Sequence, residues 1–232
     1  MKDNKLINFY EVIPKDMKKK SYNPNYKNHL MQSNFMLGIV GSNGSMKTNT
    51  LLNLIRLFSG TFDHIVLCVP RDDEALYEYL KSKVGEDNIT VYNNVSDIPE
   101  PDHWEQEGYT QILVIFDDLM NEKKQDVITT YFLRGRKVGL SCVYISQYYH
   151  AVPIKVRAQF HYLIMKQVNS KKDLNLILTS NSSLSKDQLK AMYDYALDGA
   201  KENFFMIDYL TTDDKKKYRK NFIEFLNPDD FI

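Results

Sequence analysis

The stretch Phe35-Met-Leu-Gly-Ile-Val-Gly-Ser-Asn-Gly-Ser-Met-Lys-Thr48 decides the reading of this chain. Its first half, Phe35–Gly41, is a continuous apolar run closed by glycine, the pattern of a strand buried on both faces. The second half leads into Lys47–Phe58, where Leu51, Leu54, Ile55 and Phe58 recur at helical spacing. Strand, glycine-bearing turn and helix, in that order, form the context in which a Walker A pattern carries meaning. Glycines let the backbone N–H groups of Gly41, Ser42, Asn43, Gly44 and Ser45 curl around a phosphate, and the helix start adds partial positive charge. Lys47 is then placed for the β- and γ-phosphates of ATP and the Thr48 hydroxyl for Mg2+, with Asn49 closing the nucleotide-binding segment. The pattern asks for glycine before the lysine, and Met46 stands there. Ordinary helical dihedrals would accept methionine, whereas a left-handed backbone would strain it.

Outward from this loop the chain alternates strands and helices. His64–Pro70, Ile89–Tyr92, Gln111–Asp117, Ser141–Ser146, Phe160–Lys166 and Asn203–Tyr209 are predicted strands. Glu74–Val84, with Leu76, Tyr79 and Leu80 at helical spacing, is a predicted helix, as are Gln125–Arg134 and Lys186–Leu197. Strands apolar throughout and separated by helices imply an α/β fold, a mostly parallel sheet with helices on both faces. The first 32 residues are polar and broken by Pro14 and Pro24. They are expected to form an N-terminal arm (1–32), ahead of a single domain over 33–232.

Three further features point to chemistry. Gln111–Asp118 (QILVIFDD) is the strongest strand signal and ends on two carboxylates, at the sheet edge where open α/β folds bind ligands. Asp117 is expected to hold Mg2+, and Asp118 to take a proton from the attacking water. SCVYISQYY ends a strand on Ser146 and Gln147, and the Gln147 amide suits contact with the γ-phosphate or orientation of water. Arg136, before that strand, and Arg157, after it, are candidates for an arginine supplied to a neighbouring subunit's nucleotide; Arg134 is a third.

Composition constrains the rest. At 232 residues, 43% hydrophobic and 26% charged, the chain is of ordinary globular make-up. No apolar run is long enough to span a bilayer, and the N-terminus lacks the pattern of a secretory signal, so no membrane partner and an intracellular location are expected. Cys68 and Cys142 sit in apolar strands and read as buried free thiols. The histidines have no metal-ligand spacing, and no zinc site is assigned. Net charge is zero, so a grip on duplex DNA would have to be local or shared among subunits. The lysine runs Lys18–Lys20, Lys123–Lys124, Lys171–Lys172 and Lys215–Lys217 read most simply as solvated faces.

Taken in order, NPNYKNHL, FMLGIVGSNGSMKT, HIVLCVP, ILVIFDDL, FLRGRKVGLSCVYISQ and VPIKVRAQFHYLIMK resemble the genome-packaging ATPases of the FtsK–HerA superfamily. The resemblance is to the branch of poxviruses, giant viruses, virophages and polinton-like elements, and it covers roughly residues 23 to 167. It implies a RecA-like P-loop NTPase core with the sensor strand inserted beside the phosphate-loop strand. It also implies a homo-oligomeric ring, a pentamer or hexamer, that hydrolyses ATP to move double-stranded DNA into a capsid. Capsid proteins would be partners, and the virion or a cytoplasmic viral factory the location. Lys47, Thr48, Asp117, Asp118 and Gln147 fall on the family's motif positions, while glycine is usual where Met46 stands. Two alternatives remain at this stage: a helicase or recombination-type ATPase of the same core, and a nucleotide-binding scaffold with little turnover.

Overall fold

The computed structural model describes residues 6–14, 17, 21–180 and 184–231. Of the lysine runs, Lys18–Lys20 lies outside the described residues. One nine-stranded sheet organises the chain, and its strands come from the apolar runs. They are β1 (Met36–Val40), β2 (His64–Cys68), β3 (Ile89–Tyr92), β4 (Ile112–Asp117), β5 (Leu140–Ser146), β6 (Tyr162–Met165), β7 (Phe205–Asp208), β8 (Tyr218–Lys220) and β9 (Glu224–Phe225). Their order across the sheet is β3-β2-β4-β5-β1-β6-β7-β8-β9. From β3 to β6 every pairing is parallel, and from β6 to β9 every pairing is antiparallel.

Parallel strands buried on both faces need a helical crossover between them. The longer helices are α1 (Lys47–Leu57), α2 (Ala75–Val84), α3 (Gln125–Arg134), α4 (Lys171–Ser180) and α5 (Lys186–Leu197). Alternate strand residues feed two cores. Leu37, Ile39, Leu113, Ile115, Val143 and Ile145 point to the side covered by α1 and α2. Val114, Phe116, Cys142 and Tyr144 point to the side covered by α3, α4 and α5. Cys68 and Cys142 are buried free thiols, both pushed up by burial, to about 12 for Cys68.

Among the strands and longer helices of the described residues, three escaped the sequence reading. α4 (KKDLNLILTS) mixes its apolar positions with Asn and Thr, and β8 and β9 are too short to show a period. The predicted apolar face of α2 is corrected. Tyr77 and Leu80 are buried, whereas Leu76 and Tyr79 are 38% and 55% exposed. Tyr77 goes inward because its ring joins the α1–α2 core while its hydroxyl finds a carboxylate there.

The N-terminal stretch from Tyr22 to Met31 lies against the sheet domain. Tyr22 exchanges two hydrogen bonds with the Gln111 side chain, and the Asn25 amide donates to the Ser59 carbonyl. His29 and Met31 are fully buried, the His29 ring stacking on Phe58.

Candidate functional site

The strand order puts β5 between β1 and β4, so that Val40, Ser146 and Asp117 all end at one sheet edge. The loop Gly41–Met46 is pinned there on both sides. The Gly41 N–H donates to the Ser146 carbonyl at 3.2 Å and the Ser42 N–H to the Gln167 carbonyl at 2.8 Å. A side chain at Gly41 would collide with Lys166 Cβ at 2.5 Å and Ser45 Oγ at 2.6 Å, which explains that glycine. Gly44 has φ +70°, the left-handed conformation glycine adopts freely.

Met46 also has φ 66° and ψ 35°. The condition posed by the sequence is therefore resolved toward strain. A non-glycine residue occupies the left-handed region at the entry to α1, at a cost of about 1–2 kcal/mol. In return the backbone turns so that α1 starts with Lys47 and Thr48 facing the sheet edge.

Lys47 Nζ donates to the Ser42 carbonyl at 3.2 Å and makes no ion pair within 4 Å among the described residues. Burial lowers its pKa, and the Asp117 and Asp118 carboxylates oppose that. Asp117, the last residue of β4, accepts a hydrogen bond from the Tyr77 hydroxyl, which also lies within hydrogen-bond reach of the Thr48 side chain. Burial pushes the Asp117 carboxyl up to about 6 despite the Tyr77 hydroxyl and the Lys47 ammonium. Asp118 follows with φ 55° and is exposed. Its Oδ1 lies 3.4 Å from the Gln147 amide, a weak contact.

Lys47, Thr48, Asp117, Asp118 and Gln147 line one cavity of about 380 Å³, with Asn43, Gly44, Met46 and Asn49 on its loop side. Two hard oxygen donors, the Thr48 hydroxyl and the Asp117 carboxylate, share one tyrosine hydroxyl at its base, a donor set that suits Mg2+. On the other flank of the loop a second cavity of about 470 Å³ is lined by Ser45, Gln167, Asn169, Tyr193, Asp194 and Asn203, among others.

The two arginines stand apart from this cluster. Arg136 sits in the Gly135–Val138 turn before β5, at the opposite sheet edge from the phosphate loop. His161 there feels its charge, although burial is the larger cause of that ring's pKa near 4. The Arg157 guanidinium lies 4.9 Å from the Tyr149 ring, and its Nε has no hydrogen-bond partner. Arg134 pairs with Asp102 and Glu100. The sequence reading missed Glu74 and Leu76, which line the cavity, and Tyr77 beneath it. The signal was available in the topology. β2 neighbours β4, so the loop leaving β2 must open at the same edge.

A family model described as Poxvirus A32 protein matches residues 23–207, and the chain belongs to that family. No curated protein matches the sequence. Among solved structures, the genome packaging NTPase B204 from Sulfolobus turreted icosahedral virus 2 shares the fold. Its complex with ATP-gammaS superposes with a TM-score of 0.58 at 15% identity, covering 82% of this chain and 98% of that one. The sulfate complex gives a TM-score of 0.59 at 15% identity, with 82% and 97% covered. The cytoplasmic domain of the type VII secretion ATPase EccC from Thermomonospora curvata reaches 0.52 at 13% identity, over 84% of this chain and 26% of that one. The fold is thus that of a P-loop nucleoside triphosphatase.

Proposed function

We propose that this A32-family chain is the ATP-hydrolysing motor that moves double-stranded viral DNA into a capsid. The convergence of Lys47, Thr48, Asp117, Asp118 and Gln147 on one cavity carries the reading. The triphosphate lies on the backbone N–H groups of Asn43 and Gly44, which the loop's own hydrogen bonds leave open, and on the start of α1, and Lys47 balances charge at the β- and γ-phosphates. Thr48 and Asp117 would hold magnesium, which when bound would offset the negative charge that develops on the phosphates. Gln147 orients a water, and Asp118 accepts its proton as the water attacks. The base and ribose occupy the cavity on the Ser45 flank, beyond the end of β6. Arg136 or Arg157 from an adjacent subunit completes the site in a pentameric or hexameric ring, which explains why neither reaches the cavity within its own chain. Capsid proteins are the remaining partners, and the virion or the viral factory is the place of action.

The strained Met46 favours a second reading, a nucleotide-binding scaffold with little turnover. One assay separates the two: ATP hydrolysis by the purified chain, with and without duplex DNA, over a range of protein concentration. The motor reading expects hydrolysis per subunit to rise with concentration and again with DNA. Mixing Arg136→Ala or Arg157→Ala protein with Lys47→Ala protein should restore part of the activity across mixed interfaces. Turnover absent under all of these conditions would leave the scaffold.

A further inference from the structure

The chain carries no net charge, but its charge is unevenly distributed. Between Asp126 and Asp173 there is not one Asp or Glu, while eight Lys and Arg residues fall in that interval. The structure splits this basic segment between the two edges of the sheet. Arg134, Arg136 and Lys137 go to the edge away from the nucleotide cavity, by the Gly135–Val138 turn. Lys171 and Lys172 are exposed on the segment that leaves β6, on the same edge as the cavity, and Lys155 is exposed in the crossover from β5 to β6.

A buried carboxylate draws these segments together. Asp173 Oδ1 accepts from the His150 N–H at 2.9 Å and lies 2.7 Å from His150 Nδ1. The loop after β5 is thereby fastened to the first turn of α4, which carries Lys171 and Lys172. Tyr148 is 45% exposed, its ring 5.7 Å from that of His150, and Lys155 follows in the short helix Ile154–Arg157. None of the three lysines is in an ion pair among the described residues. Lys171 and Lys172 also sit at the end of a helix whose dipole disfavours cations. The acid next to them in the chain, Asp173, is buried, with its Oδ1 turned to His150. A polyanion laid across this surface would relieve both unfavourable arrangements.

The surface is joined stiffly to the hydrolytic cavity. Ser146 Oγ donates to the Tyr148 carbonyl at 2.9 Å and accepts from the Tyr148 N–H at 3.2 Å, and Gln147 between them faces Asp118. We propose that Tyr148, His150, Lys155, Lys171 and Lys172 form the surface that grips the phosphate backbone of duplex DNA, and that Gln147 conveys this contact to the nucleotide. The proposal rests on the motor reading above and names the surface that reading leaves open.

The test measures affinity of the full chain for a duplex oligonucleotide across a salt series. It compares wild type, the triple variant Lys155→Ala/Lys171→Ala/Lys172→Ala, and a control triple variant at Lys215, Lys216 and Lys217. Removing the proposed surface should lower the slope of log affinity against log salt by about 0.9 for each phosphate that is no longer neutralised. The control should change affinity by less than about twofold, because removing a distant charge acts weakly once screened. Tyr148→Ala, which keeps every charge, should reduce the stimulation of hydrolysis by DNA. Equal slopes for the wild type and the first triple variant would overturn the surface while leaving the motor reading intact. A defect in subunit assembly with unchanged DNA affinity would also overturn it, since the patch would then be an interface between copies. A wild-type chain that binds no duplex DNA, with or without nucleotide, would remove the motor reading as well.

Discussion

Two regions of this molecule gather ionisable groups, and they do so to opposite ends. At the antiparallel end, Arg219 and Asp208 are 3% and 5% exposed and bonded to each other. Arg219 Nη1 reaches the carbonyls of His29, Leu30 and Phe222 at 3.2–3.3 Å, and Nε that of Lys216 at 3.5 Å. At the parallel end, Lys47 holds one carbonyl, Asp117 one tyrosine hydroxyl, and Asp118 a distant amide. The first group is saturated and ties the N-terminal stretch to the sheet. The second is left short of partners, with a lysine pKa lowered by burial, while burial raises the carboxyl in both regions, that of Asp208 despite Arg219 and that of Asp117 to about 6. A charged group with its partners in place supports the fold. One that lacks them is ready for a ligand that brings the missing charge.

Breaking each region should therefore damage a different property. Lys47→Ala should bring ATP hydrolysis below detection and strongly weaken nucleotide binding, while leaving the unfolding midpoint near wild type. Asp118→Asn should lower kcat by about 10²–10⁴-fold with ATP still bound, the range expected when a general base is removed. Arg219→Met is the converse. It strands Asp208 and should cost on the order of 3–5 kcal/mol of stability, read by urea unfolding, with hydrolysis per folded molecule retained. A Lys47 variant that unfolds, or an Arg219 variant that is stable but inactive, would erase the distinction between the two regions.

The two regions were not equally legible in the sequence. The parallel strands announced themselves because burial on both faces forces continuous apolar runs such as Ile112–Phe116. The phosphate loop and Asp117–Asp118 were readable because each directly follows such a run. Arg219 sits in Tyr218–Lys220, a strand too short to show a period, and its partners other than Asp208 are backbone carbonyls that no side-chain pattern reveals. Tyr77 was hidden for a related reason. Spacing alone assigned the apolar face of α2 to Leu76, Tyr79 and Leu80; Leu80 is buried, but beside it a tyrosine with a carboxylate to meet, Tyr77, was the one drawn inward. The φ of Met46 depends on how the loop is pinned between Ser146 and Gln167, residues distant in the sequence.

Asp117 sharpens the comparison, because its effect on stability should run against its effect on function. Its folded-state pKa, about 6, lies above the ordinary aspartate value of 3.8. Between these values the folded chain holds the proton more tightly than the unfolded chain. Stability of the nucleotide-free protein should thus fall as pH rises from about 4 to about 6, and stay low above that. Asp117→Asn removes the buried charge and should stabilise the nucleotide-free protein at pH 7.5 by on the order of 2 kcal/mol, allowing for water in the cavity mouth. The gain should shrink toward zero as pH approaches 4. The same variant should bind ATP more weakly in Mg2+, because an anionic ligand for the metal is gone. Parallel stability curves for the two proteins from pH 4.5 to 7.5 would show that the carboxylate is not strained by burial.

The smallest effect is expected at Met46, which holds a left-handed backbone without the short polar side chain that eases it at Asp118. With φ at 66°, methionine gives up about 1–2 kcal/mol that glycine would not. Glycine in turn loses more conformational entropy on folding, about 0.5–1 kcal/mol. The difference leaves Met46→Gly neutral to about 1.5 kcal/mol more stable, a shift that urea unfolding resolves. Hydrolysis should be kept or raised, because the turn into α1 is preserved and only a side chain at the cavity rim is removed. Met46→Ala separates the two contributions, since alanine keeps the strain and removes the side chain. If alanine and glycine lower activity equally, the thioether is used, packed on the nucleotide or on an adjacent subunit. Should alanine match wild type and glycine alone raise activity, only the backbone conformation mattered, and the strain is a cost the loop bears without return.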